Sequence, residues 1–140
     1  MPLKDIVRGK VVSCRPDNTI LEAAEVMKRN DVGCLLVIQD DKPEGVLTDR
    51  DIVLRCIAGH IAPEAPVIDI MTRGVASVTV DDGIQDVINL MRAKEIRRVP
   101  VLEKDGRVIG LVSFGDIVGL LAKELGDLSA ATPVRASRAA

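Results

Sequence analysis

The chain has 140 residues, of which 47% are apolar and 29% are charged, and its formal net charge is -2. This length and apolar content suit one compact unit with its own core. Nucleic-acid readers usually carry a basic face, and readers of single strands add aromatic platforms. A slightly acidic chain whose single aromatic residue is Phe114 is therefore not expected to bind nucleic acid.

Targeting signals and cysteine usage predict a cytoplasmic protein. The chain has no run of about 18 apolar residues, which a membrane span would need, and its first residues lack the apolar stretch of a secretory signal. Cys14, Cys34 and Cys56 show no CxxC spacing. They favour buried thiols in a reducing cytosol, and a redox pair of Cys14 with Cys34 stays open.

The two halves of the chain form an internal repeat. A shift of 64 residues aligns them, and the shift becomes 65 after a turn, because the second half carries one extra turn residue there. The aligned pairs include Asp17 with Asp81, Ile20 with Ile84, Met27 with Met91, Gly45 with Gly110, and Asp51 with Asp116. We therefore assign residues 1–63 to repeat one, 64–125 to repeat two, and 126–140, which lack periodicity, to a disordered tail.

Repeat one predicts the order strand, helix, strand, strand, helix after a short helical lead-in. Its first helix has apolar residues at i, i+3, i+4 and i+7 from Ile20, and Thr19 with Glu22 forms a plausible capping box at its start. The predicted elements are a lead-in at 3–7, a strand at 11–14, strands at 35–38 and 46–47 joined by a turn at 40–43, and a closing helix at 49–58.

Repeat two predicts the same order. Its first helix carries the same spacing from Ile84 and is entered from Asp82, with Gln85 three residues on. The predicted elements are a lead-in at 67–71, strands at 75–78, 99–102 and 108–112, a turn at 104–106 and a closing helix at 115–125. Units of about 60 residues are marginal alone, so we expect an α+β fold in which both repeats share one core.

The segments at 45–52 and 110–117 both run from a glycine through two apolar residues and a Thr or Ser to Asp-Ile, and 96–101 contains Arg-Arg-Val-Pro-Val. These motifs resemble a tandem pair of cystathionine-beta-synthase (CBS) domains, also called a Bateman module. The resemblance covers residues 3 to about 124. It implies a pseudo-twofold pair with two clefts between the repeats, as in small stand-alone signalling proteins.

The resemblance also implies a ligand, which is an adenine nucleotide (AMP, ADP or ATP) or a related molecule such as S-adenosylmethionine or NAD. Asp51 and Asp116 would hold the ribose diol, with Thr48 and Ser113 near ribose and phosphate. Arg98 would meet phosphate. The implied ligand-binding residues are Thr48, Asp51, Ser113, Asp116, Arg98, Val12, Val75, Val99 and Pro100, where the backbone around Val12 and Val75 lines the adenine.

The residues of the repeated motif also have a simpler interpretation. Thr48 and Ser113 precede helices, where free N–H groups and the helix dipole attract anions. The same pairs could be helix caps with an acid at the third position. Because capping boxes prefer the longer Glu or Gln there, the two Asp residues favour a ligand role. The alternative function is a ligand-free module for dimerisation or for docking an unknown protein partner.

The two clefts are predicted to be unequal. Repeat two has Arg97 and Arg98 where repeat one has Gly33 and Cys34, so the cleft that Arg98 reaches should bind phosphate better. We expect the cleft of Asp51 to lack this basic pair. Leu36 in place of Pro100 is a second departure from equivalence.

The sequence predicts neither an enzyme nor a metal site. His60 is the only histidine, so a zinc site or a Ser-His pair is not expected, and no Gly-rich phosphate loop is present. The closing helix of repeat two is apolar at nearly every position from 117 to 122. A helix that covers one core needs only a narrower apolar stripe, so the surplus predicts a homodimer.

Overall fold

In the computed structural model, the described residues are Leu3, Ile6, Val7 and residues 11–131. Repeat one and the first residues of repeat two form one sheet with the strand order β1-β2-β3-β4. The elements of repeat one are β1 Ser13–Cys14, α1 Ile20–Asn30, β2 Cys34–Gln39, β3 Lys42–Thr48, and α2 Asp49–Asp51 with a π-helical continuation Ile52–Ile57. The lead-in of repeat two adds a 3₁₀ turn Val67–Asp69 and β4 Thr72–Arg73. β1 runs parallel to β2, and the other neighbouring strands are antiparallel.

Repeat two forms a second sheet with the order β5-β6-β7. Its elements are β5 Val78–Thr79, α3 Ile84–Lys94, β6 Arg98–Leu102, β7 Val108–Ser113 and α4 Phe114–Ala131. The first strand is again parallel to the second, and the second and third form an antiparallel hairpin. The predicted order of strand, helix, strand, strand, helix is therefore confirmed in both repeats.

Local hydrogen bonds explain where the elements of repeat one begin and turn. The Glu22 amide donates to Thr19 Oγ1 at 3.0 Å, and the Thr19 amide donates to Glu22 Oε1 at 3.3 Å, which is the predicted capping box. Asp40 and Asp41 have φ of 51° and 64°. Two consecutive left-handed residues match the two-residue turns that join twisted hairpin strands, so the turn is shorter than the predicted 40–43.

The start of α3 corrects the prediction that the helix is entered from Asp82. The N-cap is Gly83, whose amide donates to Asp86 Oδ2 at 2.8 Å. Asp82 instead accepts the Thr79 amide at 2.8 Å and stabilises the preceding turn. Asp82 is therefore a turn residue, and its carboxylate is already used one residue before the helix begins.

The end of α4 corrects the predicted boundary of the tail. The helix continues to Ala131, six residues beyond Leu125. A single glycine inside a helix costs only about 1 kcal/mol, so Gly126 does not end it, and strong helix formers such as Leu128 and Ala130 follow. The remainder of the predicted tail, 132–140, lies outside the described residues.

The core consists of two clusters, one in each repeat, and this corrects the expectation of one shared core. Each cluster is completed by the lead-in of the other repeat. Val67, Ile70 and Met71 from the lead-in of repeat two are buried in the cluster of repeat one. Leu3 and Ile6 from the lead-in of repeat one are buried in the cluster of repeat two. This exchange joins the repeats as a pair, because neither cluster is complete without the other half of the chain.

The motif glycines allow this exchange. A Cβ on Gly45 would lie 2.5 Å from the Thr72 carbonyl oxygen and 2.9 Å from Met71 Sδ. A Cβ on Gly110 would overlap Val7 Cγ1. Both positions therefore require glycine because a lead-in segment passes directly over the third strand of the other repeat.

Candidate functional site

A cleft between the repeats has a volume of about 650 Å³. We call it cleft one. It is lined from repeat one by Cys34, Leu36, Val46, Thr48 and Asp51, and from the second half of the chain by Thr72, Gly74, Val75, Ala76, Lys94, Ile96, Arg97, Arg98, Pro100 and Leu111. Its volume lies within the range of small-molecule sites.

One wall of cleft one is the junction between β3 and α2. The Thr48 amide donates to Asp51 Oδ2 at 3.0 Å, and the Asp51 amide donates to Thr48 Oγ1 at 3.1 Å. The short Asp side chain thus closes a capping box, so the argument from side-chain length against a cap is wrong. In this cap, only one oxygen of the Asp51 carboxylate, Oδ2, accepts a hydrogen bond, which the Thr48 amide donates. The Asp51 side chain is only 16% exposed, which leaves a largely dehydrated acceptor at the cleft.

The opposite wall is basic. Lys94 at the end of α3, Arg97 before β6 and Arg98 at its start all line cleft one, and all three are exposed. The Arg97 guanidinium lies 4.9 Å from the centre of the Phe114 ring, a cation–π distance that orients it. No ion pair among the described residues includes these three cations, so this wall can attract an anion.

The base of cleft one is apolar, and one backbone hydrogen bond that repeat one makes is missing there. Leu36, Val46, Pro100 and Leu111 line it. In repeat one, the Leu36 amide donates to the Val12 carbonyl at 3.3 Å. The equivalent bond from position 100 to the Ala76 carbonyl cannot form, because proline has no amide hydrogen.

A smaller cleft of about 310 Å³ is related to cleft one by the internal repeat. We call it cleft two. It is lined by Val11, Val12, Asp31, Val32, Gly33, Cys34, Arg98 and Leu111. Ser113 and Asp116 make the same reciprocal cap as Thr48 and Asp51, at 2.8 and 3.1 Å. However, Asp116 is exposed, and neither residue lines one of the two clefts.

Cys34 lies between the two clefts and lines both. Burial raises the pKa of its thiol, Arg98 opposes this, and Asp51 and Asp49 add to it. The structure does not support a redox pair with Cys14. Cys14 is opposite Val37 in the β1–β2 ladder, and Cys34 lies three residues before Val37 in β2, or about 10 Å away at 3.3 Å per residue. This exceeds the Cα separation that a disulfide spans.

The structure brings together Thr48, Asp51, Val75, Arg98 and Pro100 from the predicted ligand-binding set. Val12 lines cleft two, also with Arg98. Val99 lines neither cleft, because it alternates with Arg98 and Pro100 along β6 and is buried in the core of repeat two.

The predicted assignment of basic residues to clefts is wrong. Arg98 lines cleft one with Asp51, so the cleft of Asp51 does contain the basic pair. The error has a geometric origin, since each cleft combines the closing motif of one repeat with the second strand of the other. Sequence reasoning also missed Lys94 and Ala76. Ala76 could have been predicted, because the internal alignment pairs it with Val12, which was in the predicted set. No feature of the sequence indicates that Lys94 lies at the cleft.

The structure adds two further observations about the described residues. Within 11–131 and the three described lead-in residues, no three His, Cys, Asp or Glu side chains are grouped to hold a metal ion. In the same part of the chain, no helix combines the length and the apolar character needed to cross a membrane.

Comparisons with known proteins agree with the fold. The CBS domain family model matches residues 3–57 and 67–123. CBS domain-containing protein YhcV of Bacillus subtilis is 34% identical over 115 residues, covering 82% of this chain and 81% of YhcV.

Two solved structures have similar folds and carry ligands. The CBS domain pair of protein MJ0100, in complex with 5'-methylthioadenosine and S-adenosyl-L-methionine, is 26% identical with a TM-score of 0.76, covering 89% of this chain and 98% of that one. The CBS domain protein PAE2072 from Pyrobaculum aerophilum, complexed with AMP, is 26% identical with a TM-score of 0.75, covering 88% and 99%. The exchanged lead-ins, the repeated motif and these matches together place this chain in the CBS domain family, as a tandem CBS pair.

Proposed function

We propose that this protein is a regulatory, ligand-sensing module that binds an adenine nucleotide in cleft one. The observation that carries the proposal is the convergence of three kinds of surface in one cleft. These are the partly buried carboxylate of Asp51, an apolar base beside the Ala76 carbonyl, which position 100 cannot satisfy, and a basic wall that includes Arg98. CBS domains are generally regulatory and non-catalytic, and we propose the same for this chain.

The carboxylate of Asp51 suits a ribose. Its Oδ2 is held by the Thr48 amide, and a carboxylate has further lone pairs for the hydroxyl groups of a vicinal diol. Hydrogen bonds to a charged group are stronger than those between neutral groups. The cap and the ligand role therefore coexist, because the cap orients the carboxylate that receives the diol.

The base of cleft one suits an adenine ring. Leu36 and Pro100 provide apolar surface against which a flat ring can pack. The Ala76 carbonyl, which position 100 cannot satisfy, offers an acceptor for the exocyclic amino group of adenine. At the equivalent position of cleft two, the Val12 carbonyl already accepts the Leu36 amide.

The basic wall suits a phosphate. An arginine fork can grip phosphate with two parallel hydrogen bonds, and Lys94 adds a compact positive charge. The relatives support the same ligand class. MJ0100 and PAE2072 are recorded with 5'-methylthioadenosine, S-adenosyl-L-methionine and AMP, which share an adenosine group.

The decisive experiment compares AMP with adenosine by calorimetry on the wild-type protein and on Arg98→Ala. If Arg98 holds the phosphate, Arg98→Ala should weaken AMP by on the order of 1.5–3 kcal/mol and leave adenosine nearly unchanged. The salt dependence of AMP binding should also become flatter. Arg92→Ala is the matched control, because Arg92 lies on the neighbouring α3 but outside cleft one.

Two results would contradict the proposal. Absence of AMP, ADP, ATP and S-adenosylmethionine binding to the wild-type protein would favour the alternative, a docking module in which the Thr/Ser-x-x-Asp pairs serve only as helix caps. Equal losses for AMP and adenosine in Arg98→Ala would assign the phosphate to another group.

We also propose that the protein is a cytoplasmic homodimer. α4 exposes a row of large apolar side chains at i, i+3, i+7 and i+10, and the π-helical segment of repeat one exposes a second group. The exposed residues are Val118, Leu121, Leu125 and Leu128 in α4, and Val53, Leu54 and Ile57 in repeat one. Apolar patches of this kind usually mark an interface. The three free cysteines suit a reducing compartment.

A further inference from the structure

Arg55 contacts both Asp51 and the segment at 70–72, although it is not among the residues that line cleft one. It lies in the π-helical segment Ile52–Ile57, one turn beyond Asp51, and its side chain is about half exposed. Its Nε is 3.8 Å from Asp51 Oδ1. Its Nη1 donates to the Ile70 carbonyl at 2.8 Å and lies 3.4 Å from Thr72 Oγ1.

These contacts complete the restraint on the Asp51 carboxylate. One oxygen, Oδ2, accepts the Thr48 amide. The other, Oδ1, faces the positive charge of Arg55. A carboxylate with one oxygen hydrogen-bonded and the other drawn toward a cation has a preferred orientation about its last torsion. The direction of its remaining lone pairs is therefore set before any ligand arrives, which reduces the entropy lost on binding.

The other end of Arg55 contacts the segment at 70–72, whose strand β4 pairs with β3. Ile70 belongs to the exchanged lead-in that is buried in the core of repeat one, and Thr72 lines cleft one directly. A single guanidinium therefore fixes the distance between the residue that would receive a ribose and the segment that leads to Val75 and Ala76.

Repeat two lacks this arrangement. Asp116 makes the same cap as Asp51, but the residue four positions later is Leu120. Leu120 packs against the core of repeat two and has no hydrogen-bond donor in its side chain. The two repeats thus share the cap and differ in the cation that restrains the second oxygen.

We propose that Arg55 is a positioning residue that orients Asp51 toward the ribose diol and thereby makes cleft one selective for ligands with free 2′ and 3′ hydroxyl groups. This inference rests on the proposed function, because it assumes that cleft one receives a nucleotide.

The test compares AMP with 2′,3′-dideoxy-AMP, which has the same base and phosphate but no diol. Arg55→Met keeps the length and helix-forming character of the side chain and removes its donors. We expect Arg55→Met to weaken AMP about tenfold, the size of a coupling between contacting groups, and to change 2′,3′-dideoxy-AMP less than about twofold. Arg55→Lys, which keeps the charge, should recover part of the loss for AMP.

A second comparison separates orientation from general support of the wall. In an Asp51→Asn background, Arg55→Met should have little further effect on AMP, because the charged group that it orients is already gone. Arg50→Met is the matched control, because Arg50 is exposed on α2, outside cleft one, and is in no described ion pair, and it should leave the ratio of the two affinities unchanged. Thermal unfolding without ligand checks that each variant is folded, which we expect because partly exposed ion pairs contribute little to stability.

The outcomes distinguish this inference from the proposed function. If Arg55→Met weakens AMP and 2′,3′-dideoxy-AMP equally, Arg55 supports the cleft without reading the diol, and the inference is overturned while nucleotide binding stands. If the wild-type protein binds neither molecule, the proposed function fails first. A selective loss for AMP that Arg55→Lys partly restores supports the inference.

Discussion

Repeat one and repeat two have the same topology and the same Thr/Ser–Asp cap, yet they contribute differently to the clefts. Repeat two supplies Arg97 and Arg98, which line cleft one, whereas repeat one has Gly33 and Cys34 at those positions. Repeat one supplies Asp51, which is shielded and faces Arg55, whereas Asp116 is exposed.

The difference shows how a duplicated fold can concentrate its charged side chains in one of two related clefts. Because each cleft takes its parts from both repeats, two changes in different repeats act on the same cleft. The carboxylate of repeat one and the cations of repeat two meet in cleft one. Their counterparts are Asp116, which does not line cleft two, and the uncharged Gly33–Cys34 pair, so Arg98 is the one cation among the described residues that line cleft two.

The largest expected effect concerns the closing helices, where α4 exposes the longer apolar row. If α4 forms the dimer interface, Leu121→Glu places an unpaired charge in it, which should weaken the dimer by about 3–5 kcal/mol. Light scattering at micromolar concentration should give about twice 15.0 kDa for the wild-type protein and a mass closer to 15.0 kDa for the variant.

Leu21→Glu is the control for this prediction. Leu21 on α1 is 49% exposed, similar to the 43% of Leu121, but it lies outside the α4 row. Leu21→Glu should therefore have the same light-scattering mass as the wild-type protein. A wild-type mass near 15.0 kDa would contradict the dimer, and an unchanged mass in Leu121→Glu would place the interface on another surface.

The second-largest expected effect is a difference in AMP affinity between variants of the two motif carboxylates, Asp51 and Asp116. Asp51→Ala should weaken AMP binding by about 1.5–3 kcal/mol, the size of hydrogen bonds to a charged group, and Asp116→Ala should change it much less. The two variants are closely matched, because each removes the acceptor of an equivalent capping box. Both should therefore lose a similar stability of about 1 kcal/mol without ligand.

Calorimetry with AMP and thermal unfolding without ligand give these two quantities separately. Equal losses of affinity in the two variants would mean that both clefts bind the nucleotide through their carboxylates. Unchanged affinity in both would reduce the repeated motif to a pair of helix caps.

The smallest effect concerns a buried thiol that repeat two lacks. Burial raises the pKa of Cys14 from 9.0 to about 11, and the equivalent residue of repeat two is Val78. Folding favours the protonated thiol, so its stabilising contribution is complete below pH 9 and is lost as the pH rises through about 11. Cys14→Val should make the decline in the free energy of unfolding over this range less steep.

Urea unfolding at several pH values between 8 and 11 would measure this decline for both proteins. The difference between the two curves isolates Cys14, since every other titrating group is shared. Parallel curves would show that the Cys14 thiol ionises as readily in the folded protein as in the unfolded chain.

The sequence alone determined the repeat, the order of elements and the family. These properties depend on local patterns, such as the helical spacing from Ile20 and the capping box of Thr19 and Glu22. Such patterns act over a few residues and can be read along the chain. The sequence also predicted that Thr48, Asp51 and Arg98 lie at a cleft, because the resemblance to the CBS family assigns them by position, and all three line cleft one.

Only the tertiary structure decided which of these residues meet. The sequence predicted that Asp51 lacks a basic partner, but Arg98 lines the same cleft, because the repeats pack with the second strand of one against the closing motif of the other. The exchanged lead-ins, the contact between Arg55 and the segment at 70–72, and the close approach that requires Gly45 and Gly110 have the same origin. They are contacts between segments far apart in the chain, and their geometry depends on how the two sheets pack.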